Sequence, residues 1–178
     1  MNIENLINFP SDLSHFAVYF LIISSMFTSF VTAAFGIGGG AIFLGLLAIY
    51  LNPLYLLPVH GAVQIGSNFG RMILMMKDVK KQPIIPFLIG SCIGSAFGGA
   101  LFIQFPSWLI QLIVAGFILW TVFGKIPAIK LRYIIFGGMF SSFLTMFFGA
   151  TGPFIAAMVK TMKLEPLQHL ATHSALMT

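Results

Sequence analysis

Apolar stretches as long as a lipid bilayer is thick recur along this chain of 178 residues, from Ser14 to Lys160. About 20 apolar residues in a helix cross the ~30 Å hydrocarbon core of a bilayer. Only 7% of the residues are charged, against roughly 25% in soluble domains. The ~10-residue segments of alternating polarity that build a transmembrane β-barrel are not found. The sequence therefore predicts an all-α polytopic membrane protein.

Gly, Pro and Asn residues divide the apolar sequence into segments, because these residues mark turns and helix ends. The first segment follows a tail without Lys or Arg, so it is interpreted as a retained span and not as a cleaved signal. The predicted spans are 14–35, 41–51 (short), 54–75, 84–103, 108–123, 132–148 and 154–163 (short), and a further span begins after Pro166.

Two glycine patterns predict two different structures. In "GSCIGSAFGGA", Gly90, Gly94 and Gly98 recur every four residues on one helix face, a pattern typical of close helix packing. In "AAFGIGGGAIFLG" (33–45), three consecutive glycines, 38–40, face several directions. They favour a break in the helix, since glycine destabilises a helix interior. Non-helical backbone at membrane depth persists only inside protein or beside a wet cavity, so this break is a candidate binding site.

The chain repeats itself at a shift of 113 positions, where residues 30–63 align with residues 143–176 without a gap. The second copy of the glycine element reads "FGATGPF". Because the second copy stops where the first continues to 142, we expect the chain to be a fragment or a natural half-protein. The predicted organisation is a tail at 1–13, a first transmembrane repeat at 14–123, a basic cytoplasmic loop at 124–131 and the start of a second repeat at 132–178.

The basic residues lie in short loops, so they mark topology and not a nucleic-acid surface. Under the positive-inside rule the loops at 76–82 and 124–132 are both cytoplasmic. If the short segment 41–51 crosses the membrane, the two repeats have inverted topology, as in many secondary transporters. If that segment is re-entrant, the repeats are parallel. The charge pattern favours the inverted arrangement.

Polar residues share one face of the span at 54–75. His60, Gln64, Asn68 and Arg71 follow one another at spacings of four, four and three, and Ser67 lies beside them. Polar residues within a membrane usually face the bundle interior or a cavity. The sequence leaves two interpretations open for this face, hydrogen bonding between helices or contact with a substrate. Arg71 has the further alternative of reaching the membrane surface.

The histidines predict a structural or gating role and no metal site. His60 and His173 occupy equivalent positions of the repeat, each seven residues after a proline. His169 and His173 have the spacing of a helical metal pair, but no third ligand accompanies them. We predict neither a metal nor a cofactor.

The acidic residues and the cysteine disfavour an enzyme. Glu4, Asp12, Asp78 and Glu165 all lie in tails or loops, which leaves no intramembrane carboxylate for acid–base catalysis. Cys92 is the only cysteine, so neither a disulfide nor a Cys-based zinc site is predicted.

The glycine element "FGIGGGAIFLGLL", its Pro-marked turn and the later "FGATGPFIAAM…LEPLQHLATHSAL" resemble the sulfite exporter TauE/SafE family. The family carries a glycine-rich element in each half, and "ATHSAL" is close to the "ATS"-like start of its next helix. This chain departs from the pattern at "GATGP". The resemblance implies transport of small sulfur-containing anions, such as sulfite, sulfoacetate or other organosulfonates, across the inner (plasma) membrane of a prokaryote.

We therefore predict a secondary transporter that works by alternating access, with a passive anion channel or a transporter of another small anion as alternatives. Its expected partners are the anion, the lipid bilayer, and a second copy or a complementing second half, with no nucleic acid. His60, His173 and Arg71 are candidates for gating or coupling. The predicted substrate-binding residues are Gly36, Gly38, Gly39, Gly40, Gln64, Ser67, Asn68, Gly149, Thr151 and Gly152.

Overall fold

The computed structural model describes residues 13–36, 38–102, 130–149 and 151–178, and a few single residues between 102 and 130. Most of the predicted tail 1–13 and of the basic loop 124–131, and half of the residues of the predicted span 108–123, lie outside these described residues. The described part is all-helical. Its helices are α1 (His15–Phe35), α2 (Gly39–Tyr50), α3 (Pro53–Leu74), α4 (Ile84–Phe102), α5 (Ile134–Phe148), α6 (Gly152–Lys160) and α7 (Pro166–Met177), with 3-10 turns at Met76–Asp78 and Leu131–Tyr133.

The helix ends follow local sequence chemistry. The Ser14 hydroxyl caps α1 by accepting a hydrogen bond from the Ala17 N–H at 3.2 Å. Prolines begin α3 and α7, where a missing N–H costs nothing because the first helical N–H groups have no partner within the helix. Each helix therefore begins within two residues of its predicted start.

Two helices, α1 and the first 18 residues of α4, are long and apolar enough to cross a membrane. The 12 residues of α2 cover only about 18 Å of axis, so it is short, as predicted. Large apolar side chains point outward along both long helices: Phe16 is 72% exposed, Ile23 67% and Phe97 67%. Apolar faces of this size suit contact with lipid.

The predicted glycine seam is confirmed where α4 packs along α5. A Cβ atom added at Gly90 would overlap the Ile135 carbonyl oxygen, and one at Gly94 would overlap that of Met139. At Gly98 it would lie 2.9 Å from the Met146 Cγ atom. The absence of side chains on this face lets the two helix backbones touch.

Helix α6 lies where two apolar clusters meet, with Phe154 packed in one and Ile155 in the other. The first cluster joins α1, α2, α3 and α6, and the second joins α4, α5, α6 and α7. Helices α3 and α7 also pack against each other. The starts of α2 and α6 are thereby held next to α3 and α7. The first cluster contains Leu21, Phe43, Leu44, Leu47, Leu56 and Phe154, and the second Phe87, Ile134, Ile155, Met158, Val159 and Leu176.

Candidate functional site

The two glycine elements end their helices with the same local geometry. Gly36 ends α1 with φ 82°, and its N–H donates to the Thr32 carbonyl oxygen at 2.8 Å. Gly149 ends α5 with φ 70°, and its N–H donates to the Thr145 carbonyl oxygen at 2.9 Å. Both glycines adopt the left-handed conformation that other residues rarely reach. At both places the helix stops and a new one begins within a few residues.

The new helices start without a side-chain cap. At the start of α2, Gly38 has φ 101° and no side chain bonds the first N–H groups. At the start of α6, Thr151 takes the capping position without forming the cap hydrogen bond. Uncapped helix N-termini carry free N–H donors and a partial positive charge. The second break offers fewer donors, because Pro153 has no N–H.

One histidine holds each helix start in place. The His60 Nε2–H donates to the Gly40 carbonyl oxygen at 2.9 Å, and the His173 Nε2–H donates to the Gly152 carbonyl oxygen at 3.1 Å. Both rings are buried, with 1% and 3% of their surfaces exposed. Their Nδ1 atoms have no hydrogen-bond partner among the described residues. His60 thus links the start of α2 to α3, and His173 links the start of α6 to α7.

A cavity of about 30 Å³ lies between the two helix starts, with room for a group about the size of a water molecule. Both glycine elements and both histidines contribute to its wall. It is lined by Thr32, Gly38, Gly40, Ala41, His60, Gln64, Asn68, Gly149, Gly152, Pro153, His173 and Met177.

Side-chain amides supply hydrogen-bond donors at the cavity. The Asn68 side chain is 2% exposed, and its Nδ2 atom has no hydrogen-bond partner among the described residues. The Gln64 amide lies next to it along α3, with its Nε2 atom 3.2 Å from the His60 Nε2 atom. Among the residues that the structure describes, no Asp, Glu, Lys or Arg lines the cavity. Buried donors at helix N-termini, without a carboxylate, form an environment that favours a small anion.

Four of the predicted substrate-binding residues do not line this cavity: Gly36, Gly39, Ser67 and Thr151. Gly39 is buried against α1, where an added Cβ would overlap the Thr28 carbonyl oxygen. The Thr151 hydroxyl is hydrogen-bonded to the Thr145 hydroxyl at 2.6 Å and faces a second cavity, of about 240 Å³, between α4, α5, α6 and α7.

Comparison with protein-family models matches residues 21–178 to the family described as sulfite exporter TauE/SafE. The chain belongs to this family. Comparison with curated proteins and with solved structures gave no significant match. TauE/SafE proteins are membrane transporters for sulfite and organosulfur anions and not enzymes, so the chain is a membrane transporter. The family resemblance predicted from the glycine elements is confirmed.

In this TauE/SafE protein, the Arg71 side chain is buried and bonds to α7. Its side chain is 9% exposed. The guanidinium donates to the Ser67 hydroxyl at 2.8 Å and to the Ser174 hydroxyl at 3.3 Å. Ser67 and Arg71 therefore form a polar contact between α3 and α7, one helical turn from the cavity wall at Asn68.

Several residues at the site were not predicted from the sequence of this TauE/SafE protein. Thr32 lines the cavity, and its match to Thr145 in the repeat could have indicated it. Met177 also lines the cavity, but an apolar residue in an apolar chain gives no such indication. Ser174 accepts a hydrogen bond from Arg71 of α3. Thr172 Oγ1 accepts a hydrogen bond at 3.0 Å from the Lys80 N–H, in the loop after α3.

We expect phenylalanine at position 60 or at position 173 to destabilise the protein by similar amounts. The substitution keeps a ring but removes the hydrogen bond to the carbonyl oxygen, at a cost of about 0.5–1.5 kcal/mol. Thermal unfolding of the detergent-purified protein measures the effect, with His169→Phe as control because the His169 side chain forms no hydrogen bond in the described structure. Equal melting temperatures in all three variants would contradict the role assigned to the two bonds.

Proposed function

We propose that the protein is a secondary transporter that moves a small sulfur-containing anion, such as sulfite, sulfoacetate or a related organosulfonate, across the inner membrane. The observation that carries this proposal is the cavity onto which the N-termini of α2 and α6 both open. Two helix N-termini at one point add their partial positive charges, which favours an anion there. Family membership supports the same class of substrate.

In the proposed site the anion accepts hydrogen bonds from the backbone N–H groups of Gly38, Gly40 and Gly152. The amide of Asn68, whose Nδ2 atom is buried without a partner among the described residues, supplies a further donor, and the amide of Gln64 lies beside it. Gly36 and Gly149 serve the site indirectly, since their left-handed conformations turn the chain into α2 and α6. Binding and release of the anion would involve movement of α2 and α6 relative to each other, since their first residues form the cavity wall.

Alternating access would come from rocking of one repeat against the other around this site. The equivalent caps at Gly36 and Gly149 and the equivalent histidine bonds support two related units. We propose that the units have inverted topology and that the loops 76–82 and 124–132 are cytoplasmic. His60 and His173 would couple or gate the movement, because each links a helix start to α3 or α7.

A flux assay with purified protein in proteoliposomes tests this function. Uptake of [³⁵S]sulfite, kept reduced under anaerobic conditions, is expected to saturate and to be inhibited by sulfoacetate. A flux that rises linearly with concentration would identify a passive channel instead. If neither sulfite, sulfoacetate, thiosulfate nor taurine moves above the rate of empty liposomes, the proposal is wrong.

A further inference from the structure

The guanidinium of Arg71 is a buried cation held by neutral groups only. Its two described partners are the hydroxyls of Ser67 and Ser174, at 2.8 Å and 3.3 Å. Among the described residues, neither Asp78 nor Glu165 forms an ion pair with it. Hydroxyls accept hydrogen bonds but do not neutralise charge.

Burial of a charge without a counter-charge is costly, because water is replaced by a medium of lower polarity. Chains avoid such positions unless the charge has a use, and a membrane-embedded ionisable residue usually marks a substrate pathway. A structural bond between α3 and α7 needs only two hydroxyls or amides. The positive charge of Arg71 therefore requires a separate explanation.

Arg71 lies next to the proposed anion site along both helices that it joins. On α3 it is three residues beyond Asn68, which lines the cavity, and on α7 its partner Ser174 directly follows His173, which also lines the cavity. The same end of α3 leads into the 76–82 loop with its three lysines. An anion that moved from the cavity along α3 towards this loop would come close to Arg71.

We propose that Arg71 is the charged binding point for the anion between the central cavity and the 76–82 loop. This inference rests on the proposed transport function. The planar guanidinium binds two oxygens of one group at once, a geometry that sulfite and sulfonate groups offer and a halide does not. The anion replaces Ser174 as the partner of Arg71, so its arrival releases a hydrogen bond between α3 and α7. Arg71 thus contributes both to selectivity for oxyanions and to the opening of the site.

Three variants separate the charge of Arg71 from its bond to α7. We expect Arg71→Gln to raise the KM for [³⁵S]sulfite uptake about tenfold or more, the range for loss of a charged hydrogen bond. Arg71→Lys keeps the charge but loses the planar group that binds two oxygens at once. In this variant we expect chloride to inhibit [³⁵S]sulfite uptake more strongly than it does in the unsubstituted protein. Ser174→Ala removes the bond to α7 and keeps the guanidinium, and should raise the KM much less. An equal loss in Ser174→Ala and Arg71→Gln would mean that Arg71 only joins the helices, and would overturn the inference.

A cysteine at position 71 tests the charge without relying on the stability of a single variant. In a Cys92→Ser background, since Cys92 is exposed, Arg71→Cys should lose uptake. Reaction with a methanethiosulfonate that adds an ethylammonium group should restore part of it, while one that adds a neutral methyl group should not. Equal effects of the two reagents, or no reaction, would overturn the inference. If the unsubstituted protein moves none of the anions, the proposed function itself is wrong. If it moves them and the Arg71 variants behave as Ser174→Ala does, only the role of Arg71 is wrong.

Discussion

Alanine at position 39 will unfold the protein under conditions in which alanine at position 152 leaves it folded. The two glycines occupy equivalent positions, since they are 113 residues apart and each begins a helix. Their surroundings differ. A Cβ at Gly39 would overlap the Thr28 carbonyl oxygen and the Thr32 hydroxyl, whereas a Cβ at Gly152 would lie 3.7 Å from the Met177 Cε atom and 3.9 Å from the His173 Nε2 atom.

The size of the effect follows from the kind of atom that is displaced. The Thr28 carbonyl belongs to the backbone of α1, so it cannot rotate away as a side chain can. Either α2 must separate from α1, or α1 must bend, and overpacking of this kind costs about 1–3 kcal/mol or more. The contacts at Gly152 are ordinary van der Waals distances that alanine fills without displacement. Alanine also favours the helix over glycine by about 1 kcal/mol, and this gain is equal at both sites.

Fluorescence-detected size-exclusion chromatography after heating measures both variants in one detergent. Gly39→Ala is expected to lose its monodisperse peak at a temperature well below that of the unsubstituted protein, and Gly152→Ala at about the same temperature. If Gly39→Ala is as stable as Gly152→Ala, α1 and α2 are not packed backbone to backbone.

The glycine run shows what the sequence could and could not predict. Three adjacent glycines indicated a helix break, and the break occurs at 36–39. The separate roles of Gly38, Gly39 and Gly40 were not predictable, because they depend on neighbours far along the chain. Gly38 provides a backbone conformation, Gly39 contacts α1, and Gly40 faces Gln64 of α3.

The polar residues show the same limit. The spacing of His60, Gln64 and Asn68 on one helix face correctly placed all three at one surface, since the period of an α-helix fixes that relation. The same spacing also included Arg71, which lies beyond the cavity and bonds to Ser174. Which turn of a helix meets a cavity depends on where the neighbouring helices end. Periodicity carries no information on that point.

Two adjacent residues of "GATGP", Thr151 and Gly152, also differ in a way that only packing reveals. Gly152 lines the cavity, whereas Thr151 forms a hydrogen bond to Thr145 of α5 and faces the larger cavity. The sequence predicted both as binding residues because they are adjacent and because Thr carries a hydroxyl. The start of a helix turns successive residues by about 100°, so neighbours face different sides.

Leucine at position 40 is expected to stop transport while leaving the protein folded. A Cβ at Gly40 would lie 2.6 Å from the Gln64 Nε2 atom and 3.3 Å from its Cδ atom, and its three nearest neighbours all belong to this side chain. Gln64 is a flexible side chain that can move aside, so the structural cost is small. The leucine side chain would then take the place of the Gln64 amide at the cavity wall and close the space between the two helix starts. An anion could no longer reach the free N–H groups of α2.

Gly45→Leu is the matched control, because Gly45 lies on the same helix and a Cβ there would have no neighbour within 4 Å. Both substitutions add the same side chain and the same gain in helix propensity, so they differ only in their relation to the cavity. We expect sulfite flux in proteoliposomes to fall on the order of a hundredfold for Gly40→Leu, the loss typical of a misplaced binding geometry, and to stay near the unsubstituted rate for Gly45→Leu. Size-exclusion profiles of the two variants should be the same. If Gly40→Leu transports as fast as Gly45→Leu, the anion does not pass the start of α2, and the site must lie at another point, for example in the hydroxyl-lined cavity beside Thr151.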